Sequence, residues 1–131
     1  MALMYLDIDH FKTVNDTYGH EAGDQALCEF ARRLTTSVRK TDHVARLSGD
    51  EFVIILEEMK SEGEADIVAR KVLQAMEAPF SVRGVAYTVT TSIGIAILRD
   101  DDADPQALLR RADYALYHVK RSGRNAHHAD G

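Results

Sequence analysis

Apolar residues enter this chain in two rhythms, and the switches between them predict its elements. Residues 2–8 form a short, nearly unbroken apolar run bounded by acids, which reads as a buried strand. From Asp9 to Gly23 the chain is rich in Asn, Asp, Thr, Gly and His, so a long connection with room for one helical turn is expected. Over residues 21–38, Ala22, Leu27, Phe30, Ala31 and Leu34 follow a helical stripe. Residues 44–47 and 52–56 read as two short strands of a β-hairpin around Ser48-Gly49-Asp50-Glu51, with Gly49 supplying backbone freedom for the turn.

Ser61 and Glu64 have capping-box spacing, and a helix follows to about residue 78, where Pro79 stops it. Residues 80–82 and 85–87 flank Arg83-Gly84 as a second hairpin, and 88–98 continue as a long β-branched strand. Asp104 and Pro105 make a cap and first-turn pair for a last helix ending near Gly123. The order β-α-β-β-α-β-β-α predicts an α+β domain, with helices packed on a largely antiparallel central sheet.

The 131 residues suit one domain able to bury a core, and 45% hydrophobic with 28% charged excludes a disordered chain. A net charge of −5 argues against general nucleic-acid binding, because the polyanion would be repelled. No apolar run approaches the roughly 20 residues of a membrane span, and no signal peptide is recognisable. The lone Cys28 excludes an internal disulfide and, inside an amphipathic pattern, reads as a small buried thiol. A cytoplasmic location is expected, with a parent protein that could be membrane-anchored. The chain opens inside a strand, so an N-terminal segment is expected to be missing.

The acids at strand ends carry the candidate chemistry. Asp7 and Asp9 share one side of the first strand's end, and Asp50 and Glu51 occupy the hairpin tip. If the first strand lies beside that hairpin, three or four carboxylates converge. Clustered acids repel unless a cation neutralises them, and oxygen ligands without Cys or His suit Mg²⁺ or Mn²⁺. The alternative is a set of solvated loop acids. His10, His43, His118, His127 and His128 lack ligand spacing and read as surface residues, while His20 reads as ordering its loop. The tyrosines and phenylalanines read as core or loop packing.

Three segments in order carry a family resemblance. Asp7-Ile8-Asp9-His10-Phe11-Lys12 leads to Asn15-Asp16-Thr17-Tyr18-Gly19-His20 and Gly23-Asp24; Arg46 to Phe52 contains Ser48-Gly49-Asp50-Glu51-Phe52; Ala112 to Tyr117 leads to Lys120 and Ser122-Gly123-Arg124-Asn125. Together they resemble the GGDEF family of diguanylate cyclases over nearly the whole chain. The resemblance implies the nucleotidyl cyclase/polymerase-palm (ferredoxin-like) fold and a GGDEF domain over 1–131 lacking its N-terminal extension. It also implies condensation of two GTP into cyclic di-GMP and two pyrophosphates by a homodimer. Two Mg²⁺ (or Mn²⁺) per active site would be held by Asp7, the Ile8 carbonyl and Asp50, with Glu51 assisting. Asp50 and Glu51 are the implied catalytic pair.

By the same resemblance, Asn15 and Asp24 recognise guanine, Lys12, Lys120 and Arg124 clamp the triphosphate, and Gly49 admits the nucleotide to the backbone. Each has a plainer reading: Asp24 as a helix cap, Asn15-Asp16 as a turn, Lys120 and Arg124 as complements to a helix C-terminus. Arg39-Lys40-Thr41-Asp42 resembles the family's Arg-x-x-Asp inhibitory site for cyclic di-GMP, with Arg70 as a secondary contact; an ordinary helix-end ion pair is the alternative. Ser48 departs from the family's usual glycine. The competing functional expectation is a weak or inactive GTP- or cyclic di-GMP-binding module. A fused or partner sensory or phosphodiesterase domain is expected in either case.

Overall fold

The first strand, β1 (Ala2–Ile8), is apolar on both faces and forms the middle of a five-stranded sheet. The computed structural model describes residues 1–130; Gly131, the last residue of the expected domain, lies outside them. After β1 come α1 (Phe11–Tyr18), α2 (His20–Ser37), β2 (His43–Ser48), β3 (Glu51–Leu56) and α3 (Gly63–Ala75). Then follow β4 (Phe80–Val82), β5 (Val85–Tyr87), β6 (Thr91–Ile97), α4 (Pro105–Arg121) and β7 (His127–Asp130).

The sheet order is β2-β3-β1-β6-β7, antiparallel except for the β6–β7 pair, while β4 and β5 form a separate ribbon. The expected α+β class holds. Met4, Leu6, Ile54, Ile93 and Ile95 join Phe30 and Leu34 of α2 and Ala69 and Val72 of α3 in the main core. On the opposite face Leu3, Val53 and Ala96 pack with Leu108 and Ala112 of α4. That helix lies so close to β6 that a Cβ on Gly94 would stand 2.2 Å from the Ala112 carbonyl oxygen. As expected, Asp104 caps α4, its Oδ1 accepting from the Ala107 N–H at 2.9 Å, with Pro105 in the first turn.

Several sequence expectations need correction. The segment after Asp9 is the two-turn helix α1 rather than a long connection. Phe11, Val14 and Tyr18 already had helical spacing, and burial of Val14 outweighs the poor propensity of the Asn, Asp and Thr around it. The 88–98 strand begins only at Thr91, and β7 was not foreseen because its four residues show no apolar run. Glu64 does not complete a capping box with Ser61; its carboxylate accepts instead from the Lys60 N–H at 2.6 Å. Cys28 is exposed, since the buried stripe of α2 runs through Ala26, Leu27 and Phe30 and leaves position 28 outside. Tyr114 and Tyr117 are likewise exposed rather than packed.

α3 ends at Ala75, and buried Arg33 explains how the chain leaves it. Its guanidinium donates to the carbonyls of Ala75, Ala78 and Pro79 at 3.0, 2.6 and 3.1 Å and stacks over the Phe80 ring. Glu29 closes the ion pair at 2.7 Å, and its two arginine partners, Arg32 and Arg33, hold its carboxyl down at about 2.

Candidate active site

The pairing of β1 with its two neighbours ends unevenly, and this opens a cleft. Toward β3 the register ends at Asp7 opposite Glu51, whereas toward β6 it continues to Ile8 opposite Thr91. The Asp9 N–H donates to the Thr90 carbonyl at 2.9 Å. In a trans peptide the preceding carbonyl points the other way, so the Ile8 oxygen is directed away from β6. Asp7, Ile8, Asp9, Lys12, Asp50, Lys120 and Arg124 line the resulting cleft of about 230 Å³, together with His10 and Phe11.

Four separate elements therefore supply the lining. β1 and the residue that follows it bring Asp7 and Asp9, α1 brings Lys12, the β2–β3 turn brings Asp50, and the end of α4 with its following loop brings Lys120 and Arg124. The turn forms because Gly49 takes φ 49° at its first central position, a backbone region that glycine enters at no steric cost. Ser48 keeps a negative φ, so serine meets no backbone strain there. Arg46 Nε donates to the Gly49 carbonyl at 2.7 Å and ties the turn back to β2.

Asp7 is the electrostatic centre. Burial pushes its carboxyl above the usual range, nearby Asp50 and Asp9 add to the rise, and Lys120 opposes it. Lys120 Nζ meets Asp7 Oδ2 at 2.5 Å, while Asp7 Oδ1 is buried with no hydrogen-bond partner among the described residues. A buried, unsatisfied carboxylate oxygen is costly and rare in a native fold. Its natural complement is a cation, and Asp7, the Ile8 carbonyl and Asp50 form the all-oxygen set that Mg²⁺ or Mn²⁺ prefers. Among the described residues no group of three His, Cys, Asp or Glu side chains is arranged to hold a metal alone. Such a set therefore fits a metal whose remaining ligands are water or phosphate oxygens.

Of the three or four carboxylates expected to converge, three line the cleft: Asp7, Asp9 and Asp50. Glu51 stands opposite Asp7 but does not line the cleft; the Tyr5 hydroxyl donates to its Oε2. Burial and that hydrogen bond raise the Tyr5 phenol well above its ordinary range. Asp9 lines the cleft with a carboxylate already engaged by Thr90, Ser92 and Asn125. Neither engagement has a signal in local sequence, since every partner lies more than 40 residues away.

Asn15 and Asp24 lie apart from the Asp7 cleft, where α1 packs on α2. A Cβ at Gly23 would fall 1.8 Å from Asn15 Oδ1, so the bare α2 backbone makes room for that side chain beside Asp24. Asp24 is exposed inside α2, beyond its first turn, which removes the helix-cap reading. Arg39 and Asp42 sit together at the turn after α2. Buried Asp42 Oδ2 accepts from the Arg39 N–H at 3.0 Å, its Oδ1 has no partner among the described residues, and Arg39 Nη2 donates to the Glu58 carbonyl at 2.5 Å. Arg70 is exposed on α3 and does not line the groove beside them; Lys71 does.

The chain matches the family described as diguanylate cyclase, GGDEF domain, over residues 1–126. It belongs to the GGDEF family. It is 39% identical over 126 residues to the bifunctional diguanylate cyclase/cyclic di-GMP phosphodiesterase MucR of Pseudomonas aeruginosa, covering 96% of this chain and 18% of MucR. The solved GGDEF domain of TpbB (YfiN) from Pseudomonas aeruginosa superposes with a TM-score of 0.95 at 37% identity, covering 99% of this chain and 81% of that one. The GGDEF domain of DgcB from Caulobacter crescentus, solved in complex with c-di-GMP, gives 0.83 at 33% identity, covering 98% and 77%. The palm-like cyclase fold expected from the resemblance is thereby established. GGDEF domains in general depend on divalent metal. The chain spans 16% to 18% of the first curated relatives it matches, which are multidomain signalling proteins. No described helix is long and apolar enough to cross a membrane.

Proposed function

We propose that this GGDEF domain is the catalytic unit of a diguanylate cyclase, joining two GTP into cyclic di-GMP with release of two pyrophosphates. The observation that carries the reading is the partnerless buried oxygen of Asp7, in a cleft shared with Asp50, Lys12, Lys120 and Arg124. Asp7, the Ile8 carbonyl and Asp50 would hold the divalent metal, two ions per site, with Glu51 joining once it leaves Tyr5. When bound, the metal would neutralise phosphate charge and make the ribose 3′-hydroxyl a better nucleophile.

The chain's own residues do the rest. Lys12, Lys120 and Arg124 balance the triphosphate and the charge that moves onto pyrophosphate as it leaves. Lys120, paired with Asp7 here, would be the group free to turn to phosphate where a divalent metal shares that carboxylate. Asn15 and Asp24 read guanine: a carboxylate accepts from both N1–H and the N2 amine, a pair that adenine lacks. Gly49 keeps side-chain bulk off the nucleotide. One domain presents one GTP, so two copies must meet face to face as a homodimer. Arg39 and Asp42 would bind cyclic di-GMP as feedback inhibitor, supported by the partnerless Asp42 oxygen, with Arg70 reaching in after a side-chain movement. A cytoplasmic site of action, next to the GTP pool, belongs to the same proposal.

A second reading, a regulatory module that binds nucleotide without turnover, draws on the Tyr5–Glu51 bond that keeps Glu51 out of the cleft. Incubation with GTP and Mg²⁺ or Mn²⁺ separates the two, with Asp50→Ala as the blank. Cyclic di-GMP from the wild type alone supports the cyclase. GTP binding without product, also in a longer chain extended at its N-terminus, selects the module.

A further inference from the structure

Asp9 is a buried acid in the cleft whose two carboxylate oxygens both accept hydrogen bonds. Its Oδ1 accepts from Ser92 Oγ at 2.7 Å, and its Oδ2 accepts from Thr90 Oγ1 at 2.7 Å and from the Asn125 N–H at 3.1 Å. The carboxylate thus joins three chain segments: the end of β1, the start of β6 and the loop after α4. With three donors already on its two oxygens, Asp9 is less suited to hold a metal than Asp7 beside it.

The loop it holds is strained. Gly123, Arg124 and Asn125 take φ of 114°, 67° and 49° in succession, and two of them are not glycine. Left-handed backbone costs an ordinary L-residue roughly 1 kcal/mol, so it persists only where other contacts impose it. Two bonds do so here: the Arg124 N–H donates to the Val119 carbonyl at 3.0 Å, and the Asn125 N–H donates to Asp9. The consequence is that the Arg124 side chain lines the cleft with Lys12 and Lys120.

We propose that Asp9 is a positioning residue, whose carboxylate holds the left-handed Arg124–Asn125 turn and so aims Arg124 at the phosphate of the bound nucleotide. This rests on the nucleotide reading of the cleft, and the two fail in distinguishable ways. Titrations of Mg²⁺–GTP into wild type, Asp9→Ala, Arg124→Ala and the double variant form a cycle, paired with amide hydrogen exchange at Asn125. Each single change is expected to weaken Mg²⁺–GTP by about tenfold, and the double variant to bind no worse than Arg124→Ala, because Asp9 acts through that side chain. The parallel cycle of Asp9→Ala with Lys12→Ala should be additive. In the wild type the Asn125 amide should exchange slowly. Asp9→Asn, with its carbonyl oxygen toward Asn125 and its amide toward the rotatable Ser92 hydroxyl, should restore both readouts.

Additive effects of Asp9→Ala and Arg124→Ala, about a hundredfold together, overturn the proposal. So does an unprotected Asn125 amide in the wild type, which needs no variant to fold. A wild type that binds no Mg²⁺–GTP removes the nucleotide reading, while the exchange measurement still decides whether Asp9 holds the turn.

Discussion

Lys120 Nζ lies 2.5 Å from Asp7 Oδ2, so a cation from the last helix already occupies one side of the carboxylate at the centre of the cleft. The other side of that carboxylate is buried and unsatisfied. Stability has been set aside here for ligand binding.

Asp7 has a raised carboxyl, chiefly through burial, so the folded state holds its proton to higher pH than the unfolded chain does. Its contribution is full below the unfolded value, about pH 4, and is lost as pH rises through the folded value. Asp7→Asn mimics the protonated form. The variant should match or exceed wild-type stability at pH 7, by up to about 1 kcal/mol, and the gap should close toward pH 4. It should also lose Mn²⁺ binding. Urea melts across that range, with Mn²⁺ titration at neutral pH, check both.

Lys120→Met should act in the opposite direction. It leaves the Asp7 charge buried with no cation, so about 1–2 kcal/mol of stability should be lost at pH 7 and little near pH 4. A loss independent of pH would show that Lys120 matters through packing alone. The same urea series reads the difference.

Arg33 stabilises the exit from α3 by donating to three carbonyls, those of Ala75, Ala78 and Pro79. Arg33→Met should cost about 2–4 kcal/mol, because the stem can still pack but the carbonyls lose their donors. Arg33→Lys should recover less than half of that, since an ammonium cannot reproduce the planar fork or the stacking on Phe80. Chemical denaturation measures both.

Gly94 and Gly49 should respond differently to alanine. At Gly94 the new Cβ meets the backbone of α4 at 2.2 and 2.3 Å, so the helix must move. A loss of about 3 kcal/mol or more is expected, with weaker nucleotide binding as Lys120 shifts. At Gly49 no atom lies within 4 Å of the added carbon, and only the positive φ resists, at about 1 kcal/mol. Thermal melts of the two variants separate a packing constraint from a conformational one. Ser48→Gly should change stability by less than about 0.5 kcal/mol, because Ser48 already has an unstrained backbone.

Much of this was legible in the chain. The strand at 2–8, the hairpin around Gly49-Asp50, the cap at Asp104 and the stripe of α2 all rest on local periodicity or turn chemistry, and each stands where expected. The ordered segments from Asp7, through Ser48 to Phe52, to Arg124 identified the family. α1 was missed because its polar residues conceal a three-residue apolar stripe that only burial in the core rewards. Cys28 was misplaced by one helical position, enough to turn it to solvent.

What sequence alone determined was which residues are acids, which bases and which turns, together with the fold class that their periodicity demands. Tertiary structure decided which acids are free. Asp7, Asp9 and Glu51 look alike along the chain, yet of the three only Asp7 keeps a buried oxygen without a partner among the described residues, while Asp9 is engaged on both oxygens and Glu51 is taken by Tyr5. The physical reason is that a carboxylate's role depends on the donors around it, and here those donors come from distant strands and loops that only folding brings within 3 Å or so.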